Sequence, residues 1–276
     1  MNNILLKIAY DGSGFHGWQK QPGIRTVQGV LEETLAAVCG APLTLDGTSR
    51  TDAGVHAFGQ CATLRGDFGI PVQRIPLAAN NLLADIRILG AEKKPAGFHA
   101  RFDALGKAYV YRFAVCPPAP PLPAPTAAPQ PMPESAPQPS LAPVFLRNYA
   151  CLLKEKPNIG NMAEAAKYIE GTQDFACFQA AGSAPRGTTV RTVFSVRISE
   201  GREKDLAGCA YETIALEVTG DGFLYNMVRI IAGTLADVGA GKTAPAQVGE
   251  IVASGNRDRA GRTAPPQGLY LKEVYF

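Results

Sequence analysis

The first clear signal along the chain is a dense apolar run. Ile4-Leu5-Leu6-Lys7-Ile8-Ala9-Tyr10 reads as a buried strand, and Asp11–Gln19, broken by glycines at 12, 14 and 17, reads as a loop. From Thr26 the pattern changes to a helical period. Val27, Val30, Leu31, Leu35 and Val38 recur on one face, Thr26 is placed to cap the start, and Gly40 suits the left-handed position after the end. Leu43–Ser49 and Val55–Leu64 read as strands around a tight Arg50–Gly54 segment, and Pro71 suits the first turn of a helix reaching about Leu83. Ile86–Glu92 is a further strand. Leu105–Val115 alternates, with Tyr109, Tyr111 and Phe113 on one face and Val110 and Arg112 on the other.

The pattern then breaks. Between Pro117 and Pro143, 12 of 27 positions are Pro and most of the rest are Ala, Ser and Gln. Such a stretch cannot pack a core, and it reads as an exposed, extended insertion. Beyond it come a helix at Asn161–Glu170, strands at Val190–Ile198 and Tyr211–Val218, and a helix near Asn226–Val238. A short helix around Pro245–Ala253 and a strand at Tyr270–Phe276 follow. Strands outnumber helices and lack a regular βαβ alternation. The expected class is α+β with a largely antiparallel sheet.

Composition narrows the function classes. At 276 residues, with 46% apolar and 18% charged positions, the chain is of ordinary globular make-up, long enough for one large domain or two fused ones. Lys and Arg outnumber Asp and Glu by 27 to 24, an excess that permits a local basic patch without revealing one. The six cysteines are scattered, with no C-x-x-C and only three histidines. A metal site and a disulfide framework are therefore not expected. The opening apolar run is too short for a signal sequence, and no run approaches the ~20 apolar residues that a membrane helix needs. The expected setting is cytoplasmic.

Three clusters could carry chemistry. In Gly47-Thr48-Ser49-Arg50-Thr51-Asp52-Ala53-Gly54-Val55-His56-Ala57, a carboxylate sits between an Arg and a Gly at a strand-to-strand corner. Asp52 reads either as a turn residue or as a reactive carboxylate that small neighbours leave open to a substrate. Tyr109 and Tyr111 share a strand face with Lys107, just after Gly97-Phe98-His99-Ala100-Arg101-Phe102. They read as sheet packing, or as rings on which a base stacks beside cations. Arg229 lies in the apolar helix that follows Asp221-Gly222-Phe223-Leu224-Tyr225. It either snorkels to solvent or is buried against a carboxylate. Gly268-Leu269-Tyr270-Leu271 reads as ordinary strand unless its side chains line a pocket.

Five blocks together resemble one family. YDGSGFHGWQ (Tyr10–Gln19), SRTDAGVHAFGQ (Ser49–Gln60), FHARFDALGKAYVYRF (Phe98–Phe113), DGFLYNMVR (Asp221–Arg229) and GLYL (Gly268–Leu271) occur in the order and spacing of the TruA-type tRNA pseudouridine synthases. The resemblance runs from about residue 4 to 276, with the Pro-rich stretch as the outlier. It implies an α+β pseudouridine synthase fold, with two α/β domains around a largely antiparallel sheet and a basic central cleft. The domains would span 1–102, carrying the catalytic Asp, and 103–276, interrupted by the insertion at about 117–143. It also implies a homodimer and a tRNA substrate, in which uridines at positions 38–40 of the anticodon stem-loop become pseudouridine. No metal and no organic cofactor are implied.

By matching position, Asp52 is the catalytic aspartate, acting as nucleophile or base on the ribose of a flipped-out nucleotide. Arg229 is its ion-pair partner, Tyr109 stacks the base, and Leu269 walls the pocket. Arg50, together with Arg25, Arg101 and Lys107, would contact RNA. Two positions depart from the pattern: Ser49 stands where many members have Gly, and Gln179 where some have Arg. Two other classes compete. One is a non-catalytic tRNA-binding protein on the same fold. The other is a carboxylate hydrolase, which would need a second carboxylate or a metal that the blocks do not offer.

Overall fold

A computed structural model of the chain describes residues 2–116, 142–182, 187–205, 208 and 210–276. The first part contains β1 (Asn2–Tyr10), α1 (Val27–Cys39), β2 (Leu43–Gly47), β3 (His56–Gly66), α2 (Ile75–Asn80), β4 (Ile86–Lys93) and β5 (Gly106–Val115). After 116 the described chain resumes with α3 (Ala142–Leu146), β6 (Cys151–Leu153), α4 (Ile159–Ala166) and β7 (Gly171–Asp174). It continues with β8 (Val190–Lys204), β9 (Ala210–Gly220), α5 (Met227–Gly239), α6 (Gln247–Ser254) and β10 (Leu269–Tyr275). The expected Pro-rich insertion at about 117–143 lies outside the described residues, apart from 142 and 143, which open α3.

All ten strands of the described residues belong to one sheet, in the order β4-β1-β3-β10-β5-β9-β8-β7, with β2 added to β3 and β6 to β5. Only β10 with β3 and β5 with β6 pair in parallel; the other ladders are antiparallel. The fold is α+β with a largely antiparallel sheet. Among the described residues the main core runs through it, from Ile4, Leu6 and Ile8 of β1 to Ile230, Ile231 and Leu235 of α5, with a small second cluster at Ala114, Ala150 and Tyr211.

β10 decides the architecture. It lies between β3 and β5, so Tyr270 pairs with His56 on one side and with Val110 on the other. The strand that follows Asp52 and the strand that carries Tyr109 are thereby joined through a strand from much later in the chain. β1 is half-buried rather than fully buried, because Lys7 points to solvent and meets Glu273 of β10 at 3.5 Å. α1 begins and ends as expected: the Thr26 hydroxyl accepts from the Gly29 N–H, and Gly40 turns the chain at φ 64°.

The helix expected from Pro71 to about Leu83 is instead a 3-10 turn, Val72–Arg74, followed by the six-residue α2. Pro76 starts α2 afresh, since its ring sets a helical φ but supplies no N–H. Asn80 ends it by turning its amide to β4, accepting from Ile88 N–H at 2.8 Å and donating to Ile88 C=O at 3.0 Å. α4 starts two residues before the expected position, because Asn158 caps it by accepting from Asn161 N–H at 3.0 Å.

α5 and the segment 257–265 lock together at small residues. Gly261 N–H donates to the Thr234 hydroxyl at 2.9 Å, and Ala264 N–H donates to Arg229 C=O at 3.0 Å. Arg257 braces the segment through the carbonyls of Ala260 and Gly261 and the Thr263 hydroxyl. Gly233 permits this approach, since a Cβ there would collide with the Arg262 carbonyl. Ala ordinarily favours a helix over Gly by about 1 kcal/mol. Here Gly233→Ala is expected to lower stability by about 1–3 kcal/mol, measured by urea unfolding, because backbone rather than a flexible side chain must yield.

Candidate active site

The Asp52 corner is held from behind by buried polar groups. Thr48 anchors to Cys61 C=O through its N–H at 2.8 Å and its hydroxyl at 2.9 Å. Gln60, fully buried on β3, clamps Ser49 by accepting from its N–H at 3.3 Å and donating to its C=O at 2.7 Å. The Thr51 hydroxyl lies 2.7 Å from Tyr10 Oη, and Thr51 C=O accepts from Trp18 N–H at 3.0 Å. Thr48, Ser49 and Thr51 are thus tied to β1, to β3 or to the loop after β1. Gly17, at φ 87°, lets that loop pass close to Thr51 and Asp52.

Asp52 faces Arg229 across 177 residues of sequence, with Nη1 donating to Oδ2 at 3.1 Å. The guanidinium is fixed by two other acceptors. Nε donates to Ala264 C=O at 2.8 Å, and Nη1 also donates to Asn226 Oδ1 at 2.7 Å. Asn226 precedes α5 at φ 60°, the only non-glycine at positive φ among the described residues. Asn tolerates this region better than most residues, and strain of this kind gathers at functional sites. Burial pushes the Asp52 carboxyl above its ordinary range, and the charge and hydrogen bond of Arg229 hold that rise back. A carboxylate raised on folding makes the fold less stable as pH rises through the window between its unfolded and folded pKa. Burial of the acid is therefore not explained by stability, whereas its pairing with Arg229 offsets part of the cost.

The two side chains open into a cleft of about 680 Å³, inside the roughly 300–1,000 Å³ of small-ligand sites. Tyr109 and Leu269 line it, with Phe223 set edge-on to the Tyr109 ring at 5.3 Å. Burial pushes the Tyr109 hydroxyl up to about 12, so it stays neutral at physiological pH. Five cations, Arg50, Arg101, Lys107, Arg191 and Arg229, meet one carboxylate, Asp52, among the described lining residues. Burial, reinforced by Arg101 and Arg191, brings Lys107 down to about 8. No group of three His, Cys, Asp or Glu side chains forms a metal cluster among the described residues.

Of the residues singled out in the sequence, Asp52, Arg229, Tyr109, Leu269, Arg50, Arg101, Lys107 and Gln179 all line this cleft. Arg25 stands apart, 2.7 Å from Asp85 and stacked over Phe15 at 4.1 Å. His56 also turns away. Its Nδ1 accepts from Gly12 N–H at 3.1 Å, which leaves the proton on Nε2 facing Asn148 C=O at 2.9 Å, and its ring stacks on Tyr270 at 4.6 Å. Sequence reading missed Arg191, Asn226, Gln60 and Tyr10. Arg191 carried a faint signal as a cation at the start of an alternating strand; the other three gain their roles only through tertiary contacts.

A family model described as tRNA pseudouridine synthase matches residues 7–103 and 165–276. The chain is 39% identical to the tRNA pseudouridine synthase A of Ruminiclostridium cellulolyticum and 40% identical to that of Acetivibrio thermocellus, each match covering 100% of both chains. It is 37% identical to the tRNA pseudouridine synthase A 2 of Clostridium tetani, covering 99% of this chain and 98% of the relative.

Two outcomes follow from the electrostatics. Arg229→Met removes both influences that hold the Asp52 carboxyl down, so its pKa rises further. Any Asp52-dependent turnover should fall about 100-fold at neutral pH, with the acid limb of the kcat–pH profile moved to higher pH and Arg229→Lys recovering part of the loss. For Lys107, the unfolded chain holds the proton up to about 10.5 while the folded chain releases it near 8. The stability of wild type minus that of Lys107→Met should therefore grow between pH 8 and 10, by about 1–2 kcal/mol in urea unfolding.

Proposed function

The chain belongs to the tRNA pseudouridine synthase family, isomerases that convert uridine to pseudouridine in tRNA, and we propose that it acts at positions 38–40 of the anticodon stem-loop, with Asp52 attacking or deprotonating the ribose of a flipped-out nucleotide. The observation that carries this reading is the Asp52–Arg229 pair, set in a cation-lined cleft beside the Tyr109 ring.

The chemistry suits that arrangement. The N1–ribose bond breaks, the base turns, and the same ribose carbon joins C5, so atoms are only rearranged. The target nucleotide must leave its stack first, at a cost of a few kcal/mol. Asp52 then needs to be ionised in a partly dry site, and the Arg229 guanidinium favours that form. As nucleophile, the carboxylate holds the ribose while the uracil turns; as base, it removes a ribose proton and starts the elimination. Both routes need the detached uracil retained and water excluded, which Leu269, Phe223 and the Tyr109 ring suit. Stacking on Tyr109 would hold the extruded base, while Arg50, Arg101 and Lys107 meet the RNA backbone. Arg25 belongs to the same reading as an outer contact beyond the cleft.

The reading treats residues 1–102 and 103–276 as two domains, the first supplying Asp52 and the second Tyr109, Arg229 and Leu269. It includes a homodimer and a cytoplasmic setting, where tRNA is the substrate. No helix among the described residues is long and apolar enough to cross a membrane. A hydrolase with two carboxylates is disfavoured, since Asp52 stands as the single carboxylate among the described lining residues.

Asp52→Ala is expected to abolish pseudouridine formation while tRNA binding persists, as read by nucleoside analysis of the anticodon arm and by filter binding. Wild-type turnover in that variant would end the assignment. A wild-type protein that binds tRNA without turning it over would make it a non-catalytic binder, and release of free uracil would favour hydrolysis.

A further inference from the structure

The cations of the cleft fall into two sets. Arg229 is matched by Asp52. Lys107, Arg101 and Arg191 line the same cleft, and among the described residues none of the three has a carboxylate at ion-pair distance. Lys107 lies on the same face of β5 as Tyr109, two residues away, which is about 7 Å along a strand. It is half-buried, with Nζ donating to Thr48 C=O at 3.2 Å, and the charges that bear on it are those of Arg101 and Arg191. Arg191 opens β8, and its Nη1 is aimed by the carbonyls of Thr188, at 2.8 Å, and Val190, at 2.6 Å. Arg101 comes from the loop before β5. A half-buried ammonium that shares a cleft with two guanidinium groups is unfavourable until an anion joins them.

We propose that Lys107, Arg101 and Arg191 form an anion subsite that takes one phosphate of the RNA backbone, next to the nucleotide lying between Asp52 and Tyr109. This inference rests on the tRNA reading of the cleft and deepens it. Phosphate fits the donors: a backbone phosphodiester presents two non-bridging oxygens, each with more than one lone pair, which the guanidinium N–H groups and the ammonium share. The position fits as well, because the step along β5 from Tyr109 to Lys107 matches the reach from a base to a backbone phosphate of the same strand. The subsite would set the depth to which the extruded nucleotide enters, which a contact at the exposed Arg50 cannot do.

The test measures tRNA binding by the full-length protein, with inorganic phosphate as competitor and chloride at matched ionic strength as control. Phosphate is expected to weaken wild-type binding more than chloride does. Lys107→Met should raise the Kd for tRNA about tenfold. It should also make the log–log salt dependence shallower by about one and abolish the excess effect of phosphate. Lys107→Arg should retain all three properties. Arg191→Gln, at the half-exposed start of β8, should also lose the phosphate effect and keeps the test decisive if Lys107→Met does not fold. Equal effects of phosphate and chloride on the wild type would overturn the subsite, as would wild-type Kd and salt slope in the folded variants. Pseudouridine is read separately: its absence from wild-type reactions sinks the proposed function, while the binding arms still decide the subsite.

Discussion

A half-buried carboxylate cannot stay charged without help, and here the help comes from a guanidinium 177 residues away. Nearly every feature around the cleft serves that meeting. On the Asp52 side, Gln60, Thr48 and Tyr10 remove slack from the backbone before the acid. On the Arg229 side, Asn226 and Ala264 take the remaining donors, and the locked segment 257–265 holds Ala264 in place. The burial of Asp52 opposes its charge more strongly than Arg229 restores it. The arrangement fits preorganisation: a carboxylate held in place in this way costs the fold some stability.

The outline of the fold was legible because its long elements follow simple periods. α1 could be placed with both caps, and β5 with its inward tyrosines, because each depends on local spacing alone. Three departures had causes that the local period does not carry. Pro76 and the reach of Asn80 across to Ile88 divide what looked like one helix. β7, Gly171-Thr172-Gln173-Asp174, has no apolar pattern and is a strand only because β8 pairs with it. β6 is three residues long and exists by pairing with β5 from beyond the insertion.

The site was legible to the extent that chemistry shows in residue type. Asp52 stood out through its neighbours, and Arg229 as a cation in an apolar helix. Their contact, the second role of Asn226, and the Gln60 clamp are properties of the folded sheet. Arg25 and His56 show what a motif leaves open. Both sit in or beside motif blocks, yet Arg25 is engaged by Asp85 and His56 holds Gly12 and Asn148 behind the acid. A motif marks a region whose backbone must be right, and only some of its polar side chains face the cleft.

The placement of β10 bears on how the molecule assembles. β3 and β5 are made early in synthesis, but each keeps a row of unpaired N–H and C=O groups until residues 269–275 arrive to fill the gap between them. Until that moment a nascent chain carries two adhesive sheet edges and half a cleft, the situation in which edge-to-edge aggregation competes with folding. The late arrival also makes entry of this strand a checkpoint. Leu269 reaches the pocket wall in the same event that joins the strand after Asp52 to the strand of Tyr109, so a partly folded chain has no completed cleft.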